Sequence, residues 1–211
     1  MWLFVLPLWH QTHCMISEAL LMESGAKKLH LKKGDSLFYA GDTPKYFYQI
    51  ALGELKMNNF NDEGKEFIQG IFTAGMSLGE PPLFIGKPYP ANAEALTDAE
   101  VYALPKDAFF DMLQRNPDVN LGISVTLSQR LYFKSIMASE ISSQDAEHRI
   151  IKLIDYFKEI VGLKPDDKYK VSLTRQQIAD LTGLRVETVI RAIKNLEKKG
   201  SLTITSGKIF R

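Results

Sequence analysis

Glu187, Ile190 and Arg191 lie three and four residues apart within residues 186–199, so on a helix they share one face. A carboxylate there can accept from a cytosine amino group. A guanidinium can donate to guanine O6 and N7, and an apolar branch suits a thymine methyl. Together they form a set able to read base edges in a major groove. Lys194 and Lys198 extend the face. The same pattern also describes a solvated amphipathic helix with one stray isoleucine. On such a helix Glu187 and Arg191 would hold each other as an ion pair worth about 0.2–0.5 kcal/mol.

The neighbouring elements separate these readings. Thr174 followed three residues later by Gln177 is a capping box that starts a short helix, with Ile178 and Leu181 inward. Gly183 permits a sharp turn into the second helix, whose buried face is Val189, Ile193 and Leu196. Gly200 ends that helix. Residues 202–205, a Ser206-Gly207-Lys208 turn and residues 209–211 then read as a tight β-hairpin. Helix, turn, helix and hairpin predict a winged helix-turn-helix.

Charge is distributed to match. Residues 144–211 hold 14 Lys and Arg against 9 Asp and Glu, a net of +5, while residues 1–143 hold 12 against 16, a net of −4. A basic segment behind an acidic body suits a double-stranded DNA partner.

Upstream, residues 28–104 have an all-β texture. Glycines at 34, 41, 53, 64 and 75 punctuate strand-like runs such as 46–50 and 66–72, which predicts a barrel or roll. After Pro105, residues 106–115 read as a short helix stopping before Pro117. A long helix follows from Asp118 to about Ile141. One side of it carries Val119, Ile123, Thr126, Arg130, Phe133, Met137 and Ile141. A second copy of the chain would cover this seam and make a homodimer; the β domain of the same chain is the other possible cover. Residues 145–161 predict a further helix.

These strings resemble the CRP/FNR family, the cyclic-AMP receptor and fumarate-nitrate regulators, over nearly the whole chain. The resemblance rests on Thr174-Arg175, Ile178-Ala179, Gly183, Glu187-Thr188 and Arg191. Upstream it rests on Gly79-Glu80 with Leu83-Phe84, and on Ala95 to Asp98 before Val101. It implies an α+β protein with three parts. Residues 1–116 would be an N-terminal helix and a double-stranded β-helix (jelly-roll, cyclic-nucleotide-binding-like) sensor. Residues 117–143 would be the dimerisation helix and hinge, and 144–211 the winged helix-turn-helix. It further implies base reading by Glu187 and Arg191, to which the exposed face itself adds Ile190. Phosphate positioning would fall to Thr174, Arg175, Gln176, Arg185, Thr188 and Lys194, and RNA polymerase would be the protein partner. Val186 stands where the cyclic-AMP receptor has an arginine and the fumarate-nitrate branch a valine.

The sensor departs from its relatives. Gly79, Glu80, Tyr89, Pro90, Ala91, Lys134 and Ser135 mark the resembling effector pocket. However, Tyr89-Pro90-Ala91 replaces the Arg-Ser/Thr-Ala that clamps a cyclic phosphate, and Lys134-Ser135 replaces a Thr-Ser. Loss of a bidentate guanidinium disfavours cyclic AMP; Lys87 sits in a loop and reads as a solvated charge rather than a substitute, and Glu80 is left to cap backbone amides. No cofactor is predicted, and the small-molecule effector is unidentified.

Cys14 is the single cysteine, which excludes a four-thiolate iron–sulfur cluster within one chain and suits the cytoplasm. His10, His13 and Cys14 have metal-like spacing but read as packing residues, so no metal is expected. The apolar residues 1–9 lack a positive flank and fall short of a membrane span. An enzyme of the cupin kind would need histidines on the strands, and none lies between 46 and 104. A ligand-sensing interaction protein that keeps this fold without specific DNA binding remains the alternative.

Overall fold

The computed structural model describes residues 16–64, 66–143 and 145–211. The readings at residues 1–9, His10, His13 and Cys14, together with Gln144 of the hinge, lie outside the described residues. The side chains of Ile141, Ser142 and Ser143 are likewise not described. The chain forms two compact units, residues 16–132 and Phe133–Arg211.

The first unit starts with α1 (Glu18–Glu23), whose N-cap Ser17 accepts from the Leu20 amide. Then come β1 (Lys27–Leu31), β2 (Ser36–Phe38), β3 (Tyr46–Leu52), β4 (Glu54–Phe60), β5 (Glu66–Thr73) and β6 (Ser77–Leu78). A short helix α2 (Glu80–Ile85) precedes β7 (Asn92–Ala95) and β8 (Ala99–Pro105). Two four-stranded antiparallel sheets result, ordered β1-β8-β3-β6 and β2-β7-β4-β5. This is the expected roll, with α2 as the addition. Pro81-Pro82 reads as a breaker in sequence, yet the first turn of a helix needs no amide donors there.

Within the first sheet β3 and β8 are largely apolar on both faces because they alternate between two cores. Toward the roll interior point Tyr48, Ile50, Val101 and Ala103. On the opposite face Phe47, Tyr102 and Leu104 pack with Leu21, Phe109, Met112 and Ile123. Buried Gln49 ties down the chain entry, accepting from the Ile16 amide at 2.9 Å and donating to its carbonyl at 2.7 Å.

Helix α3 (Lys106–Arg115) leads to α4 (Pro117–Ser143). The seam predicted on α4 is covered by the chain itself. Ile123 sits in the outer core, with Val119 and Leu127 against it. Arg130 turns to Glu80, and Phe133 stacks on Tyr156 at 3.4 Å between ring centroids. Of the two covers left open, the β domain of the same chain is the one seen for Val119, Ile123 and Leu127, because its apolar outer face lies beside them, while Phe133 is covered by Tyr156. A different stripe of α4 is exposed: Leu121, Ser124, Ser128, Leu131 and Tyr132. Ser124 and Ser128 donate to the carbonyls of Asn120 and Ser124, which leaves their surface small.

The second unit contains α5 (Ala146–Ile160), α6 (Arg175–Thr182), α7 (Val186–Lys198), β9 (Thr203–Thr205) and β10 (Lys208–Phe210). Among the described residues no helix is long and apolar enough to cross a membrane.

Candidate nucleic-acid interface and sensor interior

Asp145 caps α5 through the amides of Glu147 and His148. The Thr174 hydroxyl accepts from the Gln177 amide at 3.1 Å while the Gln177 side chain accepts from the Thr174 amide at 2.8 Å, so the predicted capping box forms. Gly183 at φ 69 ends α6 in the left-handed region, where a side chain would be strained. Helix α7 then buries Val189, Ala192, Ile193 and Leu196. In α6 Ile178 is fully buried and Leu181 half-buried. The wing turns through Ser206 and Gly207, both at positive φ, which matches the twist of a two-residue hairpin.

The outer stripe of α7 is free for a partner. Glu187, Arg191, Lys194 and Lys198 are exposed, and Ile190 between them is 41% exposed. Among the described residues Glu187 and Arg191 form no ion pair with each other, contrary to the pairing the sequence suggested. In high-dielectric surroundings the pair gains too little to hold two long side chains in one geometry.

The positioning residues behave unevenly. Arg185 is exposed at the N-cap of α7 with no side-chain cap bond, and Thr188 is half-buried. Arg175 donates through Nη1 to the Gly207 carbonyl at 2.9 Å, joining the start of α6 to the wing turn. Gln176 donates to the buried Asp180 at 2.8 Å. Sequence reasoning missed Arg149, buried in α5, whose Nη1 donates to the Thr182 carbonyl at 2.9 Å and so holds the α6 end. Nothing in the sequence singled it out among the charged residues of α5.

The sensor interior is filled by its own side chains. Tyr89, 3% exposed, stacks on Phe38 at 3.7 Å and 10°, and Phe38 stacks on Tyr48 at 5.9 Å. Around these rings lie Ala91, Ala93, Ala95, Ala99 and Ala103. A Cβ at Gly79 would come within 3.0 Å of the Tyr89 ring. Glu80 is 1% exposed and does not cap backbone amides as expected. Its carboxylate accepts from the Ser77 hydroxyl and from Arg130, because α4 delivers a guanidinium at that point.

Gly79, Glu80, Tyr89 and Ala91 are thus brought together. Pro90 is exposed, with its carbonyl accepting from Asn59. Lys87 is exposed, and Lys134 and Ser135 are exposed on the part of α4 that belongs to the second unit. The Glu80 carboxylate is already paired with Arg130 and the Ser77 hydroxyl, and the Tyr89 ring stands in the interior. Among the described residues no group of three His, Cys, Asp or Glu could hold a metal ion.

Comparison with known proteins follows the same two units. The cyclic nucleotide-binding domain model matches residues 28–116, and the Crp-like helix-turn-helix domain model matches residues 148–210. Over 194 residues the chain is 28% identical to the cAMP-activated global transcriptional regulator CRP of Haemophilus influenzae, covering 90% of this chain and 80% of that protein. It is 28% identical over 181 residues to the fumarate and nitrate reduction regulatory protein of Escherichia coli K12, covering 84% and 72%. The c-di-GMP responsive global regulator CLP of Xanthomonas campestris has a TM-score of 0.71 at 21% identity, covering 91% of this chain and 98% of that one. FixK2 from Bradyrhizobium japonicum has a TM-score of 0.71 at 19% identity, covering 87% and 91%. These last two share the fold.

Proposed function

We propose that the chain, a member of the CRP/FNR family of DNA-binding transcription regulators, acts as a homodimer on a two-fold symmetric operator. Its relatives regulate transcription and are not enzymes. Residues 1–116 form the effector domain, 117–143 the dimerisation helix and hinge, and 144–211 the DNA-binding domain. The observation that carries this reading is the exposed stripe Glu187, Ile190, Arg191 and Lys194 on a helix held by a capped helix-turn-helix.

In this reading Glu187, Ile190 and Arg191 read base edges. Thr174, Arg175, Gln176, Arg185, Thr188 and Lys194 position the helix on phosphates. Arg175 and Gln176 do so with their remaining donors, since each already holds a neighbour within the domain. The two copies of α4 meet along Leu121, Ser124, Ser128, Leu131 and Tyr132, where heptad-like spacing and small serines let helices approach closely. The effector is a small molecule other than cyclic AMP. RNA polymerase is the protein partner and the cytoplasm the site of action.

Selection of bound sequences from a random duplex pool tests this function. We expect two-fold sites with half-site centres about one helical turn apart, roughly 10–10.5 bp. Recovery of asymmetric single sites alone, or of no preference, would defeat it.

A further inference from the structure

The Tyr89 hydroxyl is enclosed by protein and has no hydrogen-bond partner among the described residues. A hydroxyl buried in this way forfeits the bonds it makes in water, which disfavours that position by about five- to a hundredfold. The ring itself is well placed. It lies nearly parallel to Phe38 at 3.7 Å, in a core with Leu55, Met57, Val101 and five alanines. One end of the side chain therefore opposes the position that the rest of it favours.

The backbone of Tyr89 cannot relieve this conflict. The Gly41 amide donates to the Tyr89 carbonyl and the Tyr89 amide to the Asp42 carbonyl, both at 2.9 Å. Pro88 and Pro90 flank the residue and stiffen the segment. The ring is left to move about its own side-chain bonds, which needs free space beside it. A cleft of about 400 Å³ supplies that space, walled by Asp42, Thr43, Tyr46, Tyr48 and Tyr89 itself. A cavity of about 150 Å³ already takes benzene, so the cleft has room for one more ring. Turned into it, the Tyr89 hydroxyl would reach water and the exposed side chains of Asp42 and Thr43.

We propose that Tyr89 is a displaceable plug, whose ring turns out into the cleft when an uncharged, flat aromatic effector takes its place against Phe38. The inference rests on the reading of residues 1–116 as the effector domain. The lining selects this class of ligand. Among the described residues no charged side chain belongs to the core around the ring, and Glu80 at its border is held by Arg130 and the Ser77 hydroxyl. A charged ligand would lose its water there and find no counter-ion. An apolar ring keeps the stack on Phe38 and brings no orphan hydroxyl.

Packed neighbours carry the exchange to the long helix. With the plug in place the Tyr89 ring bears on Gly79, where a Cβ would meet it at 3.0 Å, and the adjacent Glu80 holds Arg130 of α4. Withdrawing the ring removes the support of that turn. The ligand shifts the balance by its preference for the open arrangement and by nothing else.

Thermal unfolding and calorimetry on the full chain test this, with toluene and benzoate as probes of similar size and different charge. Toluene should bind once per chain, and benzoate should give no heat. Tyr89→Phe deletes the hydroxyl alone. It should raise the melting temperature and weaken toluene about fivefold or more, because the plug then fits without conflict. Tyr89→Ala removes the plug and should tighten toluene about tenfold. Should that variant fail to fold, Tyr89→Phe decides by itself. A lower melting temperature in Tyr89→Phe would show that the hydroxyl is satisfied where it lies, and overturns the proposal. Unchanged toluene affinity in Tyr89→Phe, benzoate binding as tight as toluene, or no heat with millimolar toluene overturns it equally. A gel shift on the selected duplex without either probe tests the regulator reading separately. DNA binding without toluene binding defeats the plug alone, and toluene binding without DNA binding leaves the plug and defeats the regulator.

Discussion

The Arg130 guanidinium meets the Glu80 carboxylate at 3.1 and 3.3 Å and donates through its other terminal nitrogen to the Ser77 carbonyl at 2.8 Å. One face of the same guanidinium lies over the Phe72 ring, 5.2 Å from its centroid. A residue of the long helix thereby neutralises the acidic group buried at the first position of α2. Removing Arg130 would strand that carboxylate. Arg130→Met should cost roughly 3 kcal/mol in urea unfolding, the lower end for a broken buried pair, because Arg130 still reaches solvent. The double variant with Glu80→Gln should recover more than half of the loss. Additive losses would mean the two side chains are not coupled.

Arg191 and Arg175 should fail in different ways. Arg191→Ala should cost about 1–3 kcal/mol on the selected duplex and little on random DNA, because it removes a base contact. Arg175→Ala should weaken all sequences alike and lower the salt slope by about one unit. An unchanged slope would mean that Arg175 only latches the wing to α6 through Gly207. Equal weakening of specific and random DNA by Arg191→Ala would remove it from the base-reading set.

Thr174 combines a cap with a proposed phosphate contact, and two substitutions separate these roles. Thr174→Ala should lower thermal stability by about 1 kcal/mol and weaken DNA binding. Thr174→Ser keeps both hydroxyl functions and should restore both. Rescue of stability without rescue of binding would show that the methyl group, not the hydroxyl, faces the DNA.

The exposed stripe of α4 gives a direct test of assembly. Leu131→Glu, at a position 67% exposed in the single chain, should leave the fold intact but shift sedimentation toward monomer, since like charges would face each other across the seam. Ile123→Ala should instead cost about 2–5 kcal/mol of stability by opening the outer core. A dimer unaffected by Leu131→Glu would place the interface elsewhere.

Cyclic AMP should give no heat at millimolar concentration and no gain in DNA affinity. Micromolar binding would require the Tyr89 ring to leave the interior and the Glu80–Arg130 pair to open.

Legibility of the sequence followed the locality of the signal. The capping box, the Gly183 turn and the inward face of α7 depend on residues a few positions apart, and the string displayed them. The Glu80–Arg130 pair spans 50 positions, so no local pattern announced it; Arg130 looked like a polar member of a seam. What covers the Val119–Ile141 face of α4 stayed open in the sequence for a related reason. Both sides of that helix carry apolar residues, and periodicity cannot say which side meets the roll. Tyr89 was legible only as a missing clamp. That its ring fills the interior depends on Phe38 and Gly79, which converge on it from distant strands.

Strand β8 carries one more consequence. With Val101 and Ala103 facing the roll and Tyr102 and Leu104 facing the outer core, both of its sides are apolar. The usual penalty that fixes pairing, a polar side chain turned into the interior, is therefore absent along these four positions. Volume takes over that task. A slip of one residue against β3 would drive Tyr102 into space shaped for a methyl group and leave Ala103 in a ring-sized void. Exchanging the sizes at Tyr102 and Ala103 would thus threaten correct strand pairing while leaving the hydrophobicity of the segment untouched.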